Sequence, residues 1–121
     1  MKIVAIARDR CFSPHSVEND YAILQAVVEG LQQPVVWVAE EQVRIAGLPP
    51  ADLYLTMARS AAVLQQLAEA EKAGKRVVNA AESVAQCVRS VLHRVLQAHA
   101  IPLPPTEGNA GYWLKRGDAS A

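Results

Sequence analysis

Lys2-Ile3-Val4-Ala5-Ile6-Ala7, running at once into Arg8-Asp9-Arg10, is the stretch that decides the fold. It is an unbroken apolar run with no polar alternation, as expected of a strand buried on both faces of a parallel sheet. The charges at its end and its short length rule out a signal peptide or a membrane span. A polar loop, 8–15, follows, and Ser16 is a plausible N-cap for a first helix reaching Leu31, with Glu18 and Asp20 in its first turn favouring the positive end of the helix dipole. Val17, Tyr21, Leu24, Val28 and Leu31 recur at helical spacing and predict one apolar stripe facing the sheet.

Outward from this unit, the same alternation continues. Strands are expected at 34–38, 52–57 and 76–79. A loop punctuated by Gly47-Leu-Pro-Pro50 precedes the third strand, and a second helix over 60–73 is closed by Gly74. A third helix is expected over 81–99, its stripe formed by Val84, Val88, Val91, Leu92, Val95 and Leu96. Strand and helix in alternation imply right-handed crossovers and a small parallel, Rossmann-like sheet in a three-layer α/β/α domain. Ile101-Pro-Leu-Pro-Pro-Thr106 is stiff and extended, a linker between a domain at 1–100 and a terminal segment at 107–121. Within that segment Gly111-Tyr-Trp-Leu-Lys-Arg-Gly-Asp118 predicts an additional C-terminal strand that delivers Lys115 and Arg116 to a glycine turn. A strand with only three residues after it lacks a neighbour and a facing wall, so the chain is expected to be the front of a larger nucleotide-using protein.

Composition narrows the function classes. Apolar residues make up 51% of the 121 residues but aromatics only 5%, which suits packed α/β layers built from Val, Leu, Ile and Ala. Twelve basic and twelve acidic residues give zero formal charge without long like-charge runs, so neither nucleic acid nor a membrane surface is an expected partner. Cys11 and Cys87 stand far apart with no zinc spacing around them, which points to a reduced, cytoplasmic compartment and to no structural metal.

In a parallel sheet the ligand lies beyond the carboxyl ends of the strands, so the segments 8–16, 39–41, 58–60 and 79–83 are the ones to inspect. No GxxxxGK[ST] occurs, and the first strand leads into no glycine-rich turn, which excludes a self-sufficient P-loop or dinucleotide fingerprint. Ser13, Ser16 and Asn19 offer hydroxyl and amide groups at a helix start, suited to a carboxylate or phosphate, although Ser13 and Ser16 equally suit a capping role. Arg59, after the third strand, suits an anionic substrate or a solvated surface. Cys11 has no arginine six positions on, where a phosphatase loop would need one, since position 17 is Val. Asp9, Asp20, Glu40 and Glu41 show no spacing that pairs two carboxylates for acid/base work, and Arg89 and His93 share the polar side of the third helix.

Arg76-Val-Val-Asn79, Ser83-Val-Ala-Gln-Cys-Val-Arg89, Ile101-Pro-Leu-Pro-Pro-Thr106 and Trp113-Leu-Lys-Arg116, in that order, resemble the opening of the ATP-grasp fold of carboxylate-amine ligases, whose small pre-ATP-grasp domain precedes two ATP-clamping lobes. Arg89 stands thirteen positions before Pro102, and Lys115 closes the following strand, as in that family. The chain departs from it at Arg89, usually Lys, and at Arg116, usually Pro. The resemblance implies that Arg89 and Lys115 contact the phosphates of ATP, used with Mg2+ whose ligands lie elsewhere. It implies a small carboxylate or amine substrate near Ser13, Ser16, Asn19 and Arg59, activation of a carboxylate as an acyl phosphate, and the remaining ATP-grasp lobes as partners. Alone, the chain is then expected to be catalytically incomplete. The alternative is a non-enzymatic binding or dimerisation module, a homodimer formed through the apolar edge Tyr112-Trp113-Leu114.

Overall fold

A computed structural model describes residues 1–111, Lys115 and Gly117. The chain is α/β, and its described residues form a four-stranded, all-parallel sheet and five α-helices. It forms two compact units, Met1–Val84 and Ala85–Ala121, the division falling within the fourth helix. The expected strand within 107–121, with Tyr112, Trp113, Leu114 and Arg116, falls outside the described residues apart from Lys115 and Gly117.

The first unit is built around β1 (Ile3–Ala7), the central apolar run, with β2 (Val35–Ala39) on one side and β3 (Leu53–Thr56) on the other; β4 (Arg76–Val78) completes the order β2-β1-β3-β4. Ile3 pairs with both Val35 and Leu53, and the register holds to Ala7 opposite Ala39. Because side chains alternate, Ile3 and Ala5 face one way and Val4 and Ile6 the other, and all four are buried. On the first face Leu24 of α1 (Val17–Leu31) packs with Ile3, Ala5 and Leu55, flanked by Val28, Val35 and Trp37. α2 (Glu40–Ala46) and α3 (Ala61–Lys72) contact one another and bury Val43, Val63 and Leu67. Helices before and behind the sheet make the three-layer arrangement expected from the alternation.

Three features differ from the sequence expectation. α2 occupies a segment expected to be loop; its seven residues are too few for a periodic stripe to stand out. The helix expected over 81–99 is two helices, α4 (Ala81–Gln86) and α5 (Arg89–Ala98), because the β-branched Val88 between them is extended, at φ −64° and ψ 130°. In α1 only Leu24 is buried; Val17, Tyr21 and Leu31 of the expected stripe remain exposed, although the Tyr21 ring stacks on Trp37 at 5.1 Å. No helix among the described residues is long and apolar enough to cross a membrane.

Candidate functional site

At the carboxyl ends of the strands three loops are drawn together by one side chain. Glu40 begins α2, directly after β2, and is only 1% exposed. Its Oε1 accepts N–H bonds from Arg59 at 2.8 Å and Ser60 at 2.6 Å, and its Oε2 accepts one from Asp9 at 2.7 Å. A buried carboxylate is tolerated only when it is hydrogen-bonded in this way. Ser60 is the N-cap of α3 yet makes no side-chain capping bond, so the Glu40 carboxylate serves as an external cap at that helix's positive end.

Around this carboxylate the loop after β1 is fixed by its own charges. Asp9 is buried; its Oδ1 accepts from the Cys11 N–H at 3.0 Å, and its Oδ2 lies 3.6 Å from the Arg44 guanidinium of α2. The Cys11 N–H holds the Asp9 carboxyl below the usual carboxylate range, against the opposing effect of burial and with help from Arg44. Arg8 donates to the Met57 carbonyl at 3.1 Å and pairs with Asp20 of α1 at 3.0 Å, tying the ends of β1 and β3 to the first turn of α1. Thr56 accepts from the Ala58 N–H and steadies the turn that leads to Arg59.

Beside this braced rim lies an open cleft of about 480 Å³ lined by Arg10, Pro14, His15, Ser16, Val17, Glu18 and Asn19. Ser13 lines a smaller adjoining hollow of about 60 Å³ with Arg8, Asp9, Arg10, Asp20 and Tyr21. Ser16 stands at the N-cap of α1 but its hydroxyl makes no capping bond, and its carbonyl accepts the Asp20 N–H. Of the residues singled out from the sequence, Ser16 and Asn19 line the same cleft and Ser13 the hollow next to it. Arg59 has its backbone fixed by Glu40 in the loop after β3 and lines neither of these two spaces.

Cys11 is exposed, and local desolvation, reinforced by the adjacent Asp9 carboxylate, pushes its thiol above the ordinary range. That is the wrong direction for a nucleophile, which needs a stabilised thiolate. At the opposite end of the sheet Asp52 accepts the Lys2 N–H at 2.8 Å and pairs with Lys75 at 3.5 Å; the Lys2 bond first and Lys75 second hold its carboxyl low. Among the described residues no group of three or more His, Cys, Asp or Glu could hold a metal ion.

In the second unit, α5 carries Arg89 at its start and His93 one turn on, both half-buried. The Ser90 N–H donates to the Gly117 carbonyl at 2.9 Å, which brings the backbone two residues beyond Lys115 against the first turn of α5. Lys115 is exposed. Glu40 and Arg8, which organise the rim, were missed as site residues. Their positions immediately after β2 and β1 are the available signal, but their partners 12 to 49 residues away leave no local spacing to read. No protein-family model, no curated protein and no solved structure matches the chain.

Proposed function

We propose that this chain is the substrate-binding front portion of an ATP-grasp-type ligase that joins a small carboxylate to an amine. Two features support the reading: a parallel sheet with a polar cleft outside its carboxyl ends, and a linker followed by a basic segment. The observation that carries it is the Ser90–Gly117 hydrogen bond. Lys115 lies within about 7 Å of chain from Gly117, and Arg89 adjoins Ser90, so both long cationic side chains can reach one triphosphate. A guanidinium and an ammonium aimed at phosphate oxygens offset their charge and orient them.

When bound, ATP with Mg2+ supplies the phosphoryl group that activates the carboxylate. The residues of this chain hold and orient: Arg89 and Lys115 would take the phosphate oxygens of ATP. Ser13, Ser16 and Asn19 hydrogen-bond the small substrate at the start of α1, where the helix dipole favours a carboxylate. Arg59, with its backbone clamped by Glu40, supplies a further cation from the loop after β3.

The test is titration of the protein with Mg·ATP by calorimetry, beside Arg89→Ala and Lys115→Ala. Saturable binding, weakened about tenfold or more by either change, is expected for lost charge-assisted contacts. Binding that ignores both substitutions would remove the proposed cradle.

A further inference from the structure

The two strands that end the sheet differ in how their outer edges are guarded. β4 is three residues long and opens on Lys75 and Arg76, the short, charged form that discourages pairing with a further strand. β2 is five residues long, Val35-Val36-Trp37-Val38-Ala39, with no charge and no proline inside it. The bonds of β1 show which of its backbone groups are open. The Asp52 N–H binds the Lys2 carbonyl and the Met57 N–H the Ile6 carbonyl, so Lys2, Val4 and Ile6 turn their backbone groups toward β3, and Ile3, Ala5 and Ala7 turn theirs toward β2. In the parallel register Val36 and Val38 therefore take the bonds from β1, and Val35, Trp37 and Ala39 point outward. The Ala39 N–H is held by the Gln42 Oε1 at 3.3 Å, and among the described residues nothing takes the outward N–H and C=O of Val35 or Trp37.

We propose that this edge receives β2 of a second copy of the chain, antiparallel about a two-fold axis at Trp37, so that two sheets join into one. Donors and acceptors set along a straight edge are complementary to an extended backbone, which identifies the occupant as a strand. The residue order identifies that strand as β2 itself. Reversed about Trp37, Val36 meets Val38 and Val35 meets Ala39, all of them small or β-branched, and the two Trp37 residues exchange both of their N–H···O bonds at the centre. The Trp37 side chain leaves the edge clear, since it packs on the core beside Leu24 with Tyr21 stacked against it at 5.1 Å. On the other face Val36 is 49% exposed, and the strand of the second copy covers it.

Charge permits this pairing. The first charges beyond the strand, Glu40 and Glu41, fall opposite Pro34 and Gln33 of the other copy, so no like charges are set face to face. The area sets its strength. Strand edge and Val36 together offer on the order of 400 Å² on each copy, about half of what one partner contributes to a standard interface, so the dimer is weak and dissociates at about 100 µM. The proposal is independent of the nucleotide reading, because none of Ser13, Ser16, Asn19, Arg59, Arg89 and Lys115 lies on β2.

Sedimentation equilibrium from about 10 µM to 1 mM tests this, with amide hydrogen exchange followed at both ends of that range. The wild-type chain is expected to dimerise reversibly, and exchange of the Trp37 amide to slow about fourfold at the upper end as the monomer fraction falls. Val36→Lys and Val36→Glu place a charge on an exposed edge position and should each weaken association at least tenfold while circular dichroism of the dilute protein stays unchanged. Mixing the two variants should pair them more strongly than either pairs with itself, because position 36 of one copy and position 36 of the other are diagonal neighbours about 7 to 8 Å apart across the axis. A wild-type chain that stays monomeric at 1 mM would overturn the proposal. So would a dimer in which the Trp37 amide exchanges as it does in the dilute sample, which would assign pairing to another surface such as Tyr112-Trp113-Leu114.

Discussion

At the scale of single residues, Glu40 carries more of the architecture than any group singled out from the sequence. Its two oxygens hold three backbone N–H groups from the loops after β1 and β3. Glu40→Gln keeps the shape but puts an NH2 where one oxygen accepted, so it should cost about 2 to 3 kcal/mol in urea denaturation, the penalty for orphaning buried donors. A loss under about 0.5 kcal/mol would show those amides to be solvated instead. Asp9 makes a pH prediction. Its folded-state pKa is depressed, so the stability it contributes is present above the unfolded-state value of about 4 and is lost as pH falls through the lower folded value. Denaturation curves should therefore weaken with acid below about pH 4, and Asp9→Asn should flatten that dependence. Neither role was legible in advance. Asp9 and Glu40 are separated by 31 residues, and carboxylates that share a rim through backbone donors leave no spacing rule behind.

Among elements, α1 shows what helical periodicity can and cannot tell. The 3.6-residue repeat located the helix correctly, yet its stripe misjudged depth, because one helix lying across a narrow sheet buries only the side chains at the centre of its contact. Leu24 is such a residue and Ile23 is not. Leu24→Ala should cost about 2 to 5 kcal/mol, and the adjacent Ile23→Ala within about 0.5 kcal/mol of nothing at concentrations where the chain is monomeric. Equal costs from thermal or urea unfolding would contradict the packing described. Short elements were the least legible. α2 spans only seven residues, and its acidic Glu40-Glu41 start and terminal Arg44 suit the helix dipole without forming a pattern long enough to separate from a loop. The break at Val88 was hidden for the opposite reason, since the apolar stripe runs on through it into Val91, Leu92, Val95 and Leu96.

For the whole molecule, the parallel α/β architecture followed directly from the run at 2–7 and the alternation after it. A strand apolar on both faces has to be central, and the observed order β2-β1-β3-β4 puts β1 there. The strand order itself was not legible, because crossover handedness leaves several arrangements open. The site was half legible: Ser16 and Asn19 share a cleft, with Ser13 next to it, whereas the bracing by Glu40 and Arg8 emerged only from tertiary contacts. The central claim is that the start of α5 and the Lys115 segment together receive a triphosphate. Amide-resolved NMR during titration with Mg·ATP to about 10 mM, well above the millimolar range of a weak site, tests it most directly. The account predicts saturable shifts at Arg89, Ser90, Lys115 and Gly117, with 13–19 responding instead to a small carboxylate. Unmoved resonances at those four residues, or shifts confined to the first unit, would contradict it.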